Sequence, residues 1–224
     1  MVNSYDEKRI GGDFLTFTIV GGEFFAKGGK EILIVFERLI QEGYPLKLNI
    51  ISSMCYADYA TKTSEKDLKE AMQIISEYSS NIFYYNRLPN KKVLEIFKNT
   101  HVGLLPTRAE TYGYSVLEAQ ANGCPVITTN VRALPEINNE NIGWIIDLPK
   151  DDWGNALLKT EKNRNRVSKI IEEGLYEIIK TIVGNPDVIK EKGIRCLQNI
   201  KEFHNPKVKA REIEAIYDES LGRR

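Results

Sequence analysis

Three segments of the sequence carry residues whose types and spacing suit chemistry on a charged, hydroxyl-rich ligand. The first is Gly21-Gly22-Glu23-Phe24-Phe25-Ala26-Lys27-Gly28-Gly29. Glycines let backbone approach a ligand closely, and a helix opening here offers unpaired N–H groups to an anion. Lys27 adds a full positive charge, as a diphosphate requires. The spacing fits neither a dinucleotide-binding GxGxxG nor a P-loop. Taken alone, the segment reads equally well as a tight turn with a surface lysine. The second is Arg108-Ala109-Glu110-Thr111-Tyr112-Gly113-Tyr114-Ser115-Val116-Leu117-Glu118-Ala119. Glu110 precedes a helix and Glu118 lies inside it, too deep for a simple cap. Carboxylates accept hydrogen bonds from diols, so the pair suits hydroxyl recognition. Helix-dipole pairing for Glu110 and a solvated face for Glu118 remain open on spacing alone. The third, Ala121-Asn122-Gly123-Cys124-Pro125-Val126-Ile127 with Leu134-Pro135-Glu136 after it, is turn and packing chemistry without a catalytic role.

These segments need elements to hold them. Leu15 to Val20 reads as a strand, and a helix follows from about Gly28 to Glu42, with Ile32, Val35, Phe36, Leu39 and Ile40 on one broad face. Leu46 to Ile51 is the next strand. Ser64 and Asp67 start a helix that carries Leu68, Met72, Ile75 and Tyr78 at helical spacing. A strand at Ile82 to Tyr85 precedes a helix opened by Pro89 and Asn90. Val102 to Leu105 is a buried strand stopped by Pro106. A short helix from Ser115 to Asn122 closes at Gly123, and strands follow at Val126 to Thr128 and Gly143 to Ile146. Alternating strands and helices predict a doubly wound parallel sheet covered on both faces, with ligands held beyond the carboxyl ends of its strands. Residues 1–13 read as a linker or tail, 14–150 as one Rossmann-like domain, and 151–224 as a helical C-terminal extension broken near Pro186 and Pro206.

Composition excludes several classes. Lys plus Arg equals Asp plus Glu at 31 each, so generic electrostatic capture of nucleic acid is not expected. The three cysteines, Cys55, Cys124 and Cys196, are far apart, and only His101 and His204 are present, so no metal-ligand spacing arises. Free thiols, a polar N-terminus and the lack of a long apolar run predict a cytoplasmic protein. The run Lys159 to Arg166 reads as a solvated face. Its basic residues also suit peripheral contact with anionic headgroups at the cytoplasmic face of a membrane.

The order GGxFxxKGG, LLPTRAETYGYSVLEAQANGCPVITT, then ALPEI resembles the C-terminal domain of the retaining GT-B glycosyltransferases of family 4, glycosyltransferase group 1. The likeness runs from about Leu15 to Ile146, and more loosely into the closing helices. It implies that Lys27 contacts the diphosphate of a UDP- or GDP-linked sugar and that Glu110, with Thr111, Tyr112 and Gly113, holds the sugar near its reacting carbon. Ser115 and Val116, beside Tyr114 at the helix start, would lie near the diphosphate, and Glu118 would take the ribose hydroxyls. Arg87 and Leu88 would flank the base, and Gly22 would border the donor. Gly22 and Ala26 stand where members of this family carry an arginine, which makes Arg108 the candidate replacement phosphate clamp. The resemblance implies no metal cofactor. It also implies a partner, an N-terminal acceptor-binding Rossmann half without which the chain is expected to be inactive. The alternative is a non-catalytic nucleotide-binding or regulatory module with a degenerate donor site.

Overall fold

The structure, a computed structural model, describes residues 2–9 and 11–222. Met1 and Ile10 of the expected tail, and Arg223 and Arg224 of the expected extension, lie outside the described residues. Six strands form one parallel sheet: β1 (Leu15–Val20), β2 (Leu46–Ile51), β3 (Ile82–Tyr85), β4 (Val102–Leu105), β5 (Val126–Thr129) and β6 (Gly143–Ile146). Their spatial order is β3-β2-β1-β4-β5-β6. The chain winds outward from β1 to β3, then returns across β1 to lay down β4, β5 and β6. The sheet therefore reverses direction between β1 and β4, where Ile19 is paired with Leu104. Loops leaving the two strands diverge there and open a crevice at their carboxyl ends.

Apolar periodicity explains the layers. Phe17 and Ile19 of β1 and Leu48 and Ile50 of β2 are fully buried. Against them lies α1 (Gly29–Gln41), which buries Ile32, Leu33, Val35, Phe36 and Leu39. Phe17 and Phe36 meet edge to face at 5.3 Å. Next come α2 (Glu65–Glu77), α3 (Asn90–Lys98), the short α4 (Tyr114–Gln120) and the single turn α5 (Leu134–Ile137). The Ser64 N–H donates to Asp67 Oδ2 at 2.7 Å, as the start signal of α2 requires. The sheet and its covering helices agree with expectation. Boundaries move by a residue or two: α4 starts at Tyr114 and ends at Gln120, earlier than expected at both ends.

The last helices are α6 (Glu161–Gly184), α7 (Asp187–Phe203) and α8 (Pro206–Ser220). The sequence suggests a helical extension, yet α6 is built into the core. Its stripe of Val167, Ile171, Leu175, Ile179 and Ile182 is wholly excluded from solvent. Burying each such side chain is worth about 1.5–3 kcal/mol. Gly174 lets α6 approach β6, since a Cβ there would meet Ile146 at 2.9 Å. Of these three helices α8 alone has no buried residue.

The N-terminal stretch, expected as a linker or tail, makes contacts with the sheet domain. Val2 is buried, and its N–H donates to Ala121 O. The buried Lys8 ammonium donates to Phe97 O at 3.2 Å and Asn122 O at 2.9 Å. Gly193 of α7 leaves room for the Tyr5 ring, which a Cβ would approach to 2.3 Å. A polar sequence cannot reveal such docking, because the acceptors are backbone carbonyls on distant elements.

Candidate functional site

The crevice is built by the loops that follow β1 and β4. After β1 the chain makes a tight turn anchored by Phe24 and Phe25, both fully buried. The Lys27 N–H donates to Glu23 O, and the Gly28 N–H to Phe25 O. Gly28 takes a left-handed φ of 82°, and a Cβ there would lie 2.4 Å from Pro106 O. Only glycine allows the two loops to come this close. Ala26 O binds the Arg108 N–H at 3.1 Å and the Thr107 hydroxyl at 3.2 Å, which ties the loops together. Gly113 closes the second loop at φ 95°, where a side chain would strike Leu134 at 2.8 Å.

This clamp sets Lys27 against Glu110 although 83 positions separate them. The ammonium lies 2.7 Å from Glu110 Oε2 and 3.2 Å from Ala109 O. Glu110 Oε1 accepts the Thr111 N–H at 2.9 Å. The two side chains are 17% and 16% exposed, so the pair sits at a cleft mouth, neither solvated nor sealed. The cleft has a volume of about 210 Å³ and is lined by Glu23, Lys27, Tyr59, Glu110, Thr111, Arg132 and Asn155, with the Ala109 backbone.

The remaining expected residues spread around this centre. Gly22 is exposed, with open space where a Cβ would stand. Tyr112 is half-buried against the core and Tyr114 is exposed, their rings 5.3 Å apart. Tyr114 and Ser115 head α4, where backbone N–H groups lack intrahelical acceptors. The Val116 N–H already donates to Gly113 O at 2.9 Å, and its side chain is buried. Glu118 is half-buried and accepts from Asn90 Nδ2 at 2.7 Å, beside the segment that carries exposed Arg87 and half-buried Leu88. Glu118 borders a separate groove of about 390 Å³ with Asn90, Leu94 and Tyr114. The two glutamates therefore do not share one cleft.

Arg108 is the clear correction. It is buried, and its guanidinium grips the Glu31 carboxylate, donates to Ser168 Oγ at 2.8 Å and reaches Phe25 O at 3.4 Å. It is a core tie between β4, α1 and α6, so it cannot serve as the replacement phosphate clamp. Arg132 and Asn155 are the residues that the sequence reading missed. Arg132 lies in the loop that leaves β5, beyond Asn130 and Val131, and a charge so soon after a buried strand was the available signal. Asn155 lies in a segment read as helical, and only the fold brings it back to the crevice. Among the described residues no His, Cys, Asp and Glu group forms a metal-binding cluster.

A parallel sheet with its charged cleft at the β1/β4 reversal, closed by C-terminal helices, has the architecture of a GT-B Rossmann-like half. The chain belongs to the family of glycosyl transferases group 1, which it matches over residues 5–175. An uncharacterized 41.2 kDa protein in the cps region of Klebsiella pneumoniae is 31% identical over 102 residues, covering 46% of this chain and 28% of that protein. The capsular polysaccharide biosynthesis glycosyltransferase CapM of Staphylococcus aureus is 28% identical over 180 residues, 79% of this chain and 43% of CapM. The chain thus spans less than half the length of these two relatives. The solved C-terminal domain of a glycosyl transferase group 1 family protein, LpcC of Francisella tularensis, superposes with a TM-score of 0.65 at 15% identity. That match covers 90% of this chain and 91% of that domain. HepE of Anabaena, solved with UDP and glucose, gives a TM-score of 0.67 at 11% identity, covering 92% of this chain and 49% of HepE. At such identities the structural likeness concerns the fold alone. No helix among the described residues is long and apolar enough to cross a membrane.

Proposed function

We propose that this chain is the nucleotide-sugar-binding half of a retaining glycosyltransferase that acts in glycan biosynthesis. The observation that carries the reading is the meeting of Lys27 and Glu110 at the β1/β4 crevice. It puts a cation for a diphosphate beside a carboxylate for sugar hydroxyls. In the complete enzyme Lys27 stabilises the departing diphosphate electrostatically. Glu110, with Thr111, Tyr112 and Gly113, holds the sugar near its reacting carbon. Tyr114, Ser115 and Val116 border the diphosphate, Glu118 binds the ribose diol, and Arg87 and Leu88 flank the base. The donor is a UDP- or GDP-sugar and the action is metal-independent. HepE, crystallised with UDP and glucose, lends support to a nucleotide donor.

An N-terminal Rossmann half would hold the acceptor in line with the anomeric carbon. Such positioning is worth about 7–11 kcal/mol of barrier, so the chain alone binds nucleotide without transferring sugar. The complete enzyme would work in the cytoplasm, with the basic run near Lys159 touching the inner face of a membrane. Calorimetry with UDP, GDP and ADP tests the binding half of the reading, and binding of none of them would refute it. Release of nucleoside diphosphate from sugar donors, with and without a matching N-terminal domain, tests the remainder. Acceptor-dependent release by this chain alone would overturn the half-enzyme reading.

The sequestration of Arg108 by Glu31 favours a second reading, a binding or regulatory module with a degenerate donor site. Nucleotide binding without turnover, even beside a matching N-terminal domain, would support that one.

A further inference from the structure

The cleft holds four charged side chains, Lys27, Arg132, Glu23 and Glu110. Lys27 and Glu110 neutralise each other at 2.7 Å. Arg132 has no carboxylate within ion-pair distance among the described residues. Its Nε donates to Asn155 Oδ1 at 2.6 Å. That neutral acceptor uses one of five guanidinium donors and leaves the terminal fork for a ligand. Asn155 is itself held firmly: its N–H donates to Asp151 Oδ1 at 3.0 Å, and its carbonyl accepts the Asp151 N–H at 2.9 Å. The guanidinium therefore bonds a side chain whose backbone is fixed on Asp151.

The backbone adds a second observation. Arg132 sits at φ 45°, in the left-handed region that disfavours branched and long side chains alike. Its N–H is fixed on Gly154 O at 2.8 Å, so the turn holds that conformation. Glycine would occupy the position without strain. Four described non-glycine residues have such a φ, and two of them, Glu23 and Arg132, line this one cleft. Backbone strain of this kind clusters at ligand-binding sites.

We propose that Arg132, braced by Asn155, binds an anionic oxygen group of the donor and so helps decide which donor is held. This rests on the donor-site reading above. The guanidinium fork matches a pair of oxygens on one phosphorus or carbon. Those oxygens belong either to the diphosphate or to the carboxylate of an acidic sugar.

The test is calorimetry on the full chain with UDP, UDP-glucose and UDP-glucuronate, and in parallel with GDP, GDP-mannose and GDP-mannuronate. The variant is Arg132→Gly, which relieves the strained backbone and should melt no lower than the unsubstituted chain. Loss of a charge-assisted contact predicts about tenfold weaker binding. A loss shared by every ligand of one base assigns Arg132 to the diphosphate. A loss confined to the uronate donor assigns it to the sugar carboxylate. Asn155→Ala should reproduce the same ligand order with a smaller loss. If the unsubstituted chain binds nucleotides and Arg132→Gly binds all of them equally well, the role of Arg132 is refuted while the donor site stands. If the unsubstituted chain binds none, the donor reading itself fails and this proposal falls with it.

Discussion

Replacing Lys27 by alanine should weaken UDP or GDP by about tenfold and leave uridine or guanosine unchanged. A hydrogen bond to a charged group is worth about 1.5–3 kcal/mol, and 1.4 kcal/mol corresponds to about tenfold. The structure places the loss at the lower end of that range. In the free chain the ammonium is already held by Glu110 at 2.7 Å and Ala109 O at 3.2 Å. A phosphate must compete with those contacts or share the ammonium with them. An exposed ion pair contributes up to about 1 kcal/mol, and this one, at 17% and 16% exposure, is better shielded than most. Removing the competitor should therefore act the other way. Glu110→Gln keeps an amide oxygen for the Thr111 N–H and frees Lys27, so bare UDP should bind as tightly or a few-fold tighter, while the nucleotide-sugar weakens. The assay is calorimetry with nucleoside, nucleoside diphosphate and nucleotide-sugar on both single variants and the double variant. In the Lys27→Ala background, Glu110→Gln should bring no gain for UDP. If Lys27→Ala weakens uridine as much as UDP, Lys27 does not face a phosphate and the argument collapses.

Glu118→Gln should weaken ribonucleotides and spare 2′,3′-dideoxy analogues, because an amide exchanges an acceptor for a donor beside the diol; equal weakening in a binding titration would make Glu118 a partner of Asn90 only. Arg108→Ala should cost about 3–5 kcal/mol of stability in denaturant unfolding by stranding the buried Glu31 carboxylate, and a variant that folded as well as its parent but lost nucleotide binding would reverse the core assignment. Stability should fall as pH drops from 6.5 toward 4. Burial first, and the Lys8 ammonium second, hold the His101 pKa down to about 4, and His101 Nδ1 must stay unprotonated to accept the Thr16 N–H at 3.0 Å. The unfolded chain takes up a proton near pH 6.5 while the folded chain resists until about 4, so the His101 contribution is complete above pH 6.5 and up to about 3 kcal/mol is lost across that window. Urea midpoints at pH 7 and pH 4.5 measure it. His101→Asn should flatten the profile, and a flat profile in the unsubstituted chain would contradict the account.

The strands, their alternation with helices and the family of the chain were legible in the sequence because they rest on local signals. A run such as Val102 to Leu105 carries no polar side chain on either face, as a strand covered by helices on both sides of its sheet requires. The Glu110-to-Glu118 spacing and the Lys27 loop likewise occupy single stretches of chain. What only the tertiary structure decided is which charges meet. Lys27 reaches Glu110 because β1 and β4 are neighbours in space. The same adjacency of elements buries Arg108 on Glu31 of α1, so one arginine in a promising loop became part of the core and another, Arg132, came to the cleft. Asn155 and the α6 stripe were equally out of reach, since periodicity shows that a helix has an apolar face but not which surface will cover it. A charge is read from one residue, whereas its partner and its exposure depend on the long-range contacts that folding selects.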